Sequence, residues 1–486
     1  MSIAFDGISG DLVEGGIYTE IKSSGANVSS TRPKVSLLVV PLAETAKVAP
    51  LTLARIFTEA DAERLLGAAT IGTAMVRAFM AAAPGQELWI VGIEKGDSNA
   101  TGSIAVTAAG GATSAGTIAL YISGIRVAVS VVKGATSAQI TDAIADAIND
   151  TADVPVTAVV ADGAVSLTSR DQSILANQIA VAQDFFNDDQ RAEPTGVALS
   201  IAQPSGGVGT AVAADIIDAM AGRQFDTIVW PYQASADVAA MAEELSRRWG
   251  PLVQQEGQLF CAVAGDVSDA TTFASTFNSP FVSVMSAGDS ISPAYLWATL
   301  MAAVDTAEPD PARPRVTLPM TGLRAPKTRW DNLERRSASL GGASTHTVDA
   351  SGVVLADRFL TTYRLNANGL KDTSYRELTT PRTLAQLRYE WRARVQATYP
   401  RHKLARDGQT FDPGQPVVQP VSIRALSYVL YQEWVGRGLT QCFDDFKDRL
   451  IVEINADDPN RLDCQMQVFL LGKFLTLATS MLFEIG

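Results

Sequence analysis

Histidine is scarce in this chain of 486 residues, which holds only His346 and His402. Neither stands at metal-ligand spacing from another histidine or a cysteine, so no His/Cys metal centre is expected. The three cysteines, Cys261, Cys442 and Cys464, are far apart and form no CxxC pair. That pattern encodes neither a disulfide framework nor a zinc site and fits a reducing compartment. Cationic charge is in deficit: 39 Lys and Arg against 52 Asp and Glu give a net charge of -13 and a pI near 4.8. A phosphate-binding surface needs clustered cations, so general nucleic-acid binding is not expected. Long apolar runs are missing as well. The most apolar stretch, 468–483, is broken by Lys473, Thr476, Thr479 and Ser480, too polar and short to span a bilayer. The first residues, MSIAFDGISGDLVEGG, lack a basic region followed by an apolar run, so no secretory signal is expected and the chain reads as soluble.

Catalytic motifs are equally thin. The acidic pairs Asp188-Asp189, Asp444-Asp445 and Asp457-Asp458 do not follow EF-hand spacing and read as solvated. PSGGVG at 204–209 evokes a phosphate loop but lacks the Lys-Ser/Thr of a P-loop and the third glycine of the dinucleotide fingerprint, and reads as a flexible connector. Gly288-Asp289-Ser290 resembles the opening motif of one esterase family. Neither histidine is preceded at three positions by aspartate, as that family's block requires. No catalytic residue and no cofactor is therefore assigned.

What is present is apolar and patterned. With 47% hydrophobic residues and a mean hydropathy of +0.11, the chain suits a compact protein of roughly two to four domains. Residues 35–40 are one apolar run, a buried strand. Thr58 opens a short helix stopped by Gly67, 73–83 reads as a second helix and 87–93 as another strand. Between 97 and 203 the texture shifts to short strands rich in Gly, Ala, Ser and Thr. Here 117–122 and 125–132 form a hairpin across Ser123 and Gly124, Ser137 caps a helix, and 156–160 pairs with 165–168 across 161–163. From 211 strands and helices alternate again: strands at 227–230, 258–263 and 281–285, helices to 221, to 249 and from 294. The expected fold is an α/β core with a mixed, mostly parallel sheet and flanking helices, a small inserted α+β domain, and extended terminal β-strand arms. A Pro-rich connector at 308–319 precedes a helix around Trp330, meander-like strands at 345–348, 353–356 and 359–365, a helix capped by Thr383, and a helix from Ser422.

Both ends read as unattached strands. Near the start, Ile17, Thr19 and Ile21 alternate with Tyr18, Glu20 and Lys22 in a Gly/Ser/Asp-rich stretch. At the end, Leu475, Leu477, Thr479, Met481, Phe483 and Ile485 alternate with Phe474, Thr476, Ala478, Ser480, Leu482 and Glu484. An isolated strand cannot satisfy its own backbone groups, and an apolar edge aggregates unless covered. These segments must pair with a sheet in their own subunit or a neighbour's.

The stretch 375–411 has the strongest local character. Leu384, Leu387, Trp391 and Val395 make an apolar helical stripe, while Arg382, Arg388, Arg392, Arg394, Arg401, Lys403 and Arg406 have only Glu390 and Asp407 nearby in sequence. Such a basic face is either solvated or a docking face for an acidic protein surface. TLAQLRYEWRARVQATYPRHKLARDG, with RWGPLVQQEG at 248–257, THTVDASG at 345–352 and ADDPNRLD at 456–463, resembles the contractile tail sheath proteins of Mu-like phages. The resemblance implies a structural virion protein with no enzymatic activity. Its protomers stack as hexameric rings around a tail tube protein and contact baseplate and tail terminator proteins, without nucleic acid or membrane insertion. It implies a place in the virion tail, and in the host cytoplasm during assembly. By analogy, residues 1–31 and 466–486 are arms whose strands (Ile17, Tyr18, Thr19 and Ile21; Leu475, Leu477, Thr479, Met481, Phe483 and Ile485) complete sheets in neighbouring subunits. Residues 32–96 and 204–465 form the core domain and 97–203 an outer domain. Arg388, Arg392, Arg394, Arg401 and Lys403 are the expected tube-facing residues. The rival reading is an α/β enzyme or ligand-binding protein using the crevice at the strand C-termini; a tail tube or other virion protein is a further one, tube subunits being usually much smaller and β-rich.

Overall fold

The computed structural model describes residues 34–185 and 192–484. The expected strand holding Ile17, Tyr18, Thr19 and Ile21, the pair Asp188-Asp189, and Ile485 lie outside the described residues.

The chain enters the main sheet at its middle. β1 (Val35–Pro41) is buried along nearly its whole length, as its unbroken apolar run requires of a strand covered on both faces. β2 (Leu53–Ile56) is a short edge strand. α1 (Glu59–Leu66) starts at a capping box in which Thr58 and Asp61 satisfy each other's backbone N–H groups. α2 (Ile71–Ala82) leads to β3 (Glu87–Ile93), which pairs parallel to β1 over its full length.

From β3 the chain leaves the main sheet and builds two small antiparallel sheets. Their elements are β4 (Thr101–Thr107), β5 (Gly116–Ile122), β6 (Ile125–Val131), α3 (Ser137–Asp150), β7 (Val156–Ala161), β8 (Ala164–Ser169), β9 (Val181–Gln183) and β10 (Ala198–Ser205). One sheet has the order β10-β4-β8-β7 and the other β6-β5-β9. Ser123-Gly124 and Asp162-Gly163 all have positive φ, the backbone a two-residue hairpin demands. The second loop is thus one residue shorter than expected, because Ala161 still pairs with Ala164. α3 is capped by Thr136, not Ser137, whose hydroxyl instead accepts from the Ala108 N–H. The outgoing and returning chains cross at glycines. A Cβ on Gly96 would stand 2.1 Å from the Val208 carbonyl oxygen, which explains the glycine-rich 204–209 as a backbone crossing.

After α4 (Ala213–Met220) the chain alternates through β11 (Thr227–Val229), α5 (Ser235–Trp249), β12 (Gln258–Val263), α6 (Val267–Ser275), β13 (Val282–Ser286), α7 (Ala294–Ala307), α8 (Asn332–Leu340), β14 (Ala343–Val348) and β15 (Val354–Arg358). The main sheet has eight strands in the order β15-β14-β13-β12-β11-β1-β3-β2. Neighbours from β14 to β3 run parallel, and β15 and β2 are antiparallel edges, so the expected mixed, mostly parallel sheet is present. α7, AYLWATLMAAVDTA, is apolar all round and buried from Ala294 to Thr306 save Leu296, packing against α2 and across the sheet. α6 was not expected. The expected strand 359–365 forms only isolated bridges: Thr361 bonds the segment 375–376 through its N–H and hydroxyl, while Thr362 bonds Val282 and Ser279 on the other side.

The last part holds α9 (Thr379–Thr398), β16 (Lys403–Leu404), β17 (Val417–Val418), α10 (Pro420–Gly436), α11 (Phe443–Arg449), β18 (Ile451–Ile454) and β19 (Leu462–Gln465). α9 begins a turn before the expected cap: Thr383 sits inside it, its hydroxyl donating to the Thr379 carbonyl. α10 likewise starts earlier, with Pro420 in its first turn, where a missing N–H does no harm. Leu387, Ile423, Leu430, Tyr431, Trp434 and Phe446 form an apolar cluster separate from the one that fills the main and small sheets. The second cluster, from Ala312 to Val452, lies within 204–465, while the main one draws on residues from Leu37 to Leu378. Among the described residues, no helix is long and apolar enough to cross a membrane.

Candidate assembly surfaces

In an open α/β sheet, ligands sit outside the strand carboxyl ends where the strand order reverses. Here that point lies between β1 and β11, and it is filled. Asp171, just after β8, bridges to Ala43, and its Oδ2 accepts the Ile71 N–H at 2.8 Å. Asp171, Ser173, Trp230 and Tyr232 are all buried there. Burial pushes the Asp171 carboxyl up to about 7. The crevice that the rival reading needs is occupied by the protein's own small sheets. Asp289 and Ser290, the esterase-like motif, make a turn: Asp289 accepts from the Thr328 N–H and hydroxyl, and the Ser290 hydroxyl donates to the Arg324 carbonyl. Neither is set up as part of a nucleophile pair. Among the described residues no group of three or more His, Cys, Asp or Glu could hold a metal.

The expected basic face of α9 is largely neutralised from within. Arg382 contacts Asp305 at 2.7 Å, Arg388 contacts Glu256 at 2.7 Å, and Arg394 holds both oxygens of Glu433. Arg388 also donates to the Trp249 carbonyl, and its guanidinium lies 4.2 Å from the Trp249 ring centre. Arg392 donates to the side-chain oxygen of Gln254 at 2.6 Å. Arg388 and Arg392 thus clamp the loop 249–256, while Arg401 and Lys403 project from the exposed stretch after α9. These carboxylates lie 77, 132 and 39 residues away in sequence, so local spacing carried no sign of them. On the other side of α9, Glu390 accepts from Trp434 at 2.7 Å and from Arg437 at 2.8 Å, tying α9 to α10.

The end of the chain is different. Phe469 and Leu471 share backbone hydrogen bonds with the segment 439–441, and Phe469 packs on the second apolar cluster. Beyond Leu471, the expected strand residues Leu475, Leu477, Thr479, Met481 and Phe483 belong to no ladder among the described residues. Met481 is 88%, Leu482 97% and Phe483 84% exposed. The hairpin β18–β19, also not expected, is a sheet of two strands whose outer edges have no ladder partner among the described residues. The alternation of 451–454 and the Asn-Ala-Asp-Asp-Pro-Asn turn at 455–460 were the available signals for it.

Residues 206–358 match the family model of the phage tail sheath protein central domain. Over 490 residues, covering 99% of this chain and 100% of the other, the sequence is 32% identical to the Mu-like prophage FluMu tail sheath protein of Haemophilus influenzae. The chain belongs to the phage tail sheath family. Among solved structures, the sheath tail protein of Desulfitobacterium hafniense shares the fold at 13% identity, covering 94% of this chain and 100% of that one with a TM-score of 0.50. That of Listeria innocua is 14% identical over 91% and 93% of the two chains, with a TM-score of 0.49. This sheath protein has a structural role in a contractile tail and is not an enzyme.

Proposed function

We propose that this sheath protein polymerises around a tail tube by lending its terminal strands to neighbouring copies. The observation that carries this is the exposed apolar alternation of Leu475, Leu477, Thr479, Met481 and Phe483, which has no ladder partner among the described residues. Each backbone hydrogen bond contributes only about 0.5 to 1.5 kcal/mol net, so an exchanged strand of five or six residues contributes a few kcal/mol. Repeated at every subunit, that is enough to hold a lattice. The free edges of β18 and β19 are the natural acceptors, since a pair of strands completes its hydrogen bonding only by adding more.

In this reading residues 1–31 and 466–486 are the arms, 32–96 with 204–465 the core domain, and 97–203 an outward domain. The copies form stacked hexameric rings in the virion tail, assembled in the host cytoplasm and bounded by baseplate and tail terminator proteins. The sheath is stored in an extended form and shortens irreversibly to drive the tube through the host envelope. Arg392, Arg401 and Lys403, which make no ion pair among the described residues, are the better tube-facing candidates. Arg388 and Arg394, engaged by Glu256 and Glu433, shape that surface from behind. A surface that must release during contraction suits polar contacts better than a large apolar interface.

A fluorescent peptide of residues 476–486 tests the strand exchange. It binds the chain ending at Leu475 saturably, and a scrambled peptide does not. Equal binding of both peptides, or none where the full chain polymerises, overturns the reading. For the tube, Arg401→Glu with Lys403→Glu abolishes co-sedimentation with tubes while leaving the fold intact; undiminished co-sedimentation removes those residues from the tube face.

A further inference from the structure

The roots of the two ends of the chain meet at one buried charge cluster. Asp305, in the last turn of α7, is fully buried and held by Arg315 at 2.9 Å and Arg382 at 2.7 Å. Lys34, the residue that joins the segment 1–33 to the body, extends its ammonium group into the same place. It donates to the carbonyl oxygens of Glu308 at 2.7 Å and Thr306 at 3.0 Å, with Asp305 at 3.4 Å. These are the orphan carbonyls at the end of α7, where a cation is favoured. Burial still lowers the Lys34 amine to about 8, with Asp305 opposing the fall and Arg382 and Arg315 adding to it.

The other end of the chain reaches the same arginine. Lys473 and Leu475 line a small cavity together with Arg315, Glu377 and Thr379. Burial lowers the Lys473 amine as well, with Asp310 and Glu377 opposing and Arg315 adding to the fall. The Arg315 side chain is 1% exposed, and while its Nε serves Asp305 and its Nη1 the Asp310 and Arg313 carbonyls, its Nη2 has no hydrogen-bond partner among the described residues. A buried guanidinium with a spare donor is sensitive to what packs beside it. Lys473 and Leu475 stand beside it across that small cavity, and on the other side lies the Asp305 carboxylate, which Arg382 also holds and whose own backbone carbonyl belongs to the helix end that Lys34 caps.

We propose that the Asp305–Arg315 cluster is a joint that couples the two arms, so that displacing the C-terminal arm at Lys473 loosens the seat of Lys34. The coupling is a property of the single chain and stands whether or not the arms exchange between copies. In a lattice it would let capture of one arm be felt at the root of the other.

The test uses amine labelling with acetic anhydride, read residue by residue by mass spectrometry, on the full chain and two truncations. In the chain ending at Gly472, which lacks Lys473 and Leu475, Lys34 labels at least about twofold faster, the lower end of coupling for groups sharing a network. In the chain ending at Leu475 the Lys34 rate is unchanged. The buried Cys261 thiol, probed with a maleimide, reports general loosening and keeps its rate in both truncations. Lys473→Met in the full chain reproduces the Lys34 effect, and Arg315→Met uncouples the sites, so that adding Lys473→Met changes nothing further. An unchanged Lys34 rate in the chain ending at Gly472, or a rise matched by Cys261, overturns the proposal.

Discussion

Asp171→Asn is the sharpest probe of how the small sheets are fixed to the main one. Asp171 is 0% exposed; one of its oxygens accepts the first N–H of α2, and the other, Oδ1, has no partner among the described residues. Its ionised form is therefore poorly compensated, and burial raises the carboxyl from 3.8 to about 7. Between those values the folded chain keeps a proton that the unfolded chain has released. Stability attributable to this residue accordingly falls as pH rises from about 4 to about 7 and is level above. Roughly three pKa units at 1.36 kcal/mol each give about 4 kcal/mol as an upper bound for the whole fall. Asparagine preserves the acceptor for the Ile71 N–H and removes the charge. Urea unfolding followed by tryptophan fluorescence across pH 4 to 8 is the assay, and the difference between variant and parent is the readout, because other titrating groups cancel in it. The two are similar near pH 4, and the variant gains stability relative to the parent up to pH 7. Parallel stability curves would refute the reasoning and show that the carboxylate is solvated or paired.

His346 lies between Trp297 and Trp330, with ring centres 4.7 Å and 5.3 Å away, and burial pushes its imidazole down to about 4. Stability is lost as pH falls from 6.5 to about 4, by about 3 kcal/mol at most; His346→Phe flattens that part of the curve, and an unchanged slope contradicts the assignment. Glu390→Ala strands the Trp434 indole N–H and the Arg437 guanidinium, lowering stability by about 1 to 3 kcal/mol, with Glu390→Gln milder. An unchanged urea midpoint for the alanine variant speaks against Glu390 as the tie between α9 and α10. Phe446 is fully buried and stacked 3.8 Å from Tyr431, so Phe446→Ala weakens the second apolar cluster by about 3 to 5 kcal/mol. Amide exchange should rise across 420–454 and not in β12; equal rises in both would show that the two clusters are one cooperative unit.

The main sheet was legible because its strands are buried on both faces: within them Leu37–Pro41, Leu88–Ile93 and Leu259–Val263 are apolar runs that no other element explains. The helix capped by Thr58 and the hairpin at Ser123-Gly124 were readable from local chemistry alone. What stayed hidden depends on distant partners. α6, VSDATTFAS, has only two buried residues, Ala270 and Ala274, too faint an apolar stripe to stand out. The charge of α9 is cancelled by Glu256, Glu433 and Asp305, which only the fold brings near. The strand at 359–365 failed because alternation cannot reveal threonines whose hydroxyls bond the carbonyls of distant Tyr375 and Ser279. At the C-terminus, sequence showed an apolar alternation needing cover, and the structure adds that no strand among the described residues pairs with it.

The central claim is that the segment after Leu475 joins subunits. Electron microscopy of the full chain at raised concentration, beside the chain ending at Leu475, tests it most directly. That truncation keeps Phe469 to Leu471 on their own core, so the subunit stays folded. The account predicts long hollow cylinders from the full chain and single subunits from the truncated one. Cylinders of the same form from both would contradict it.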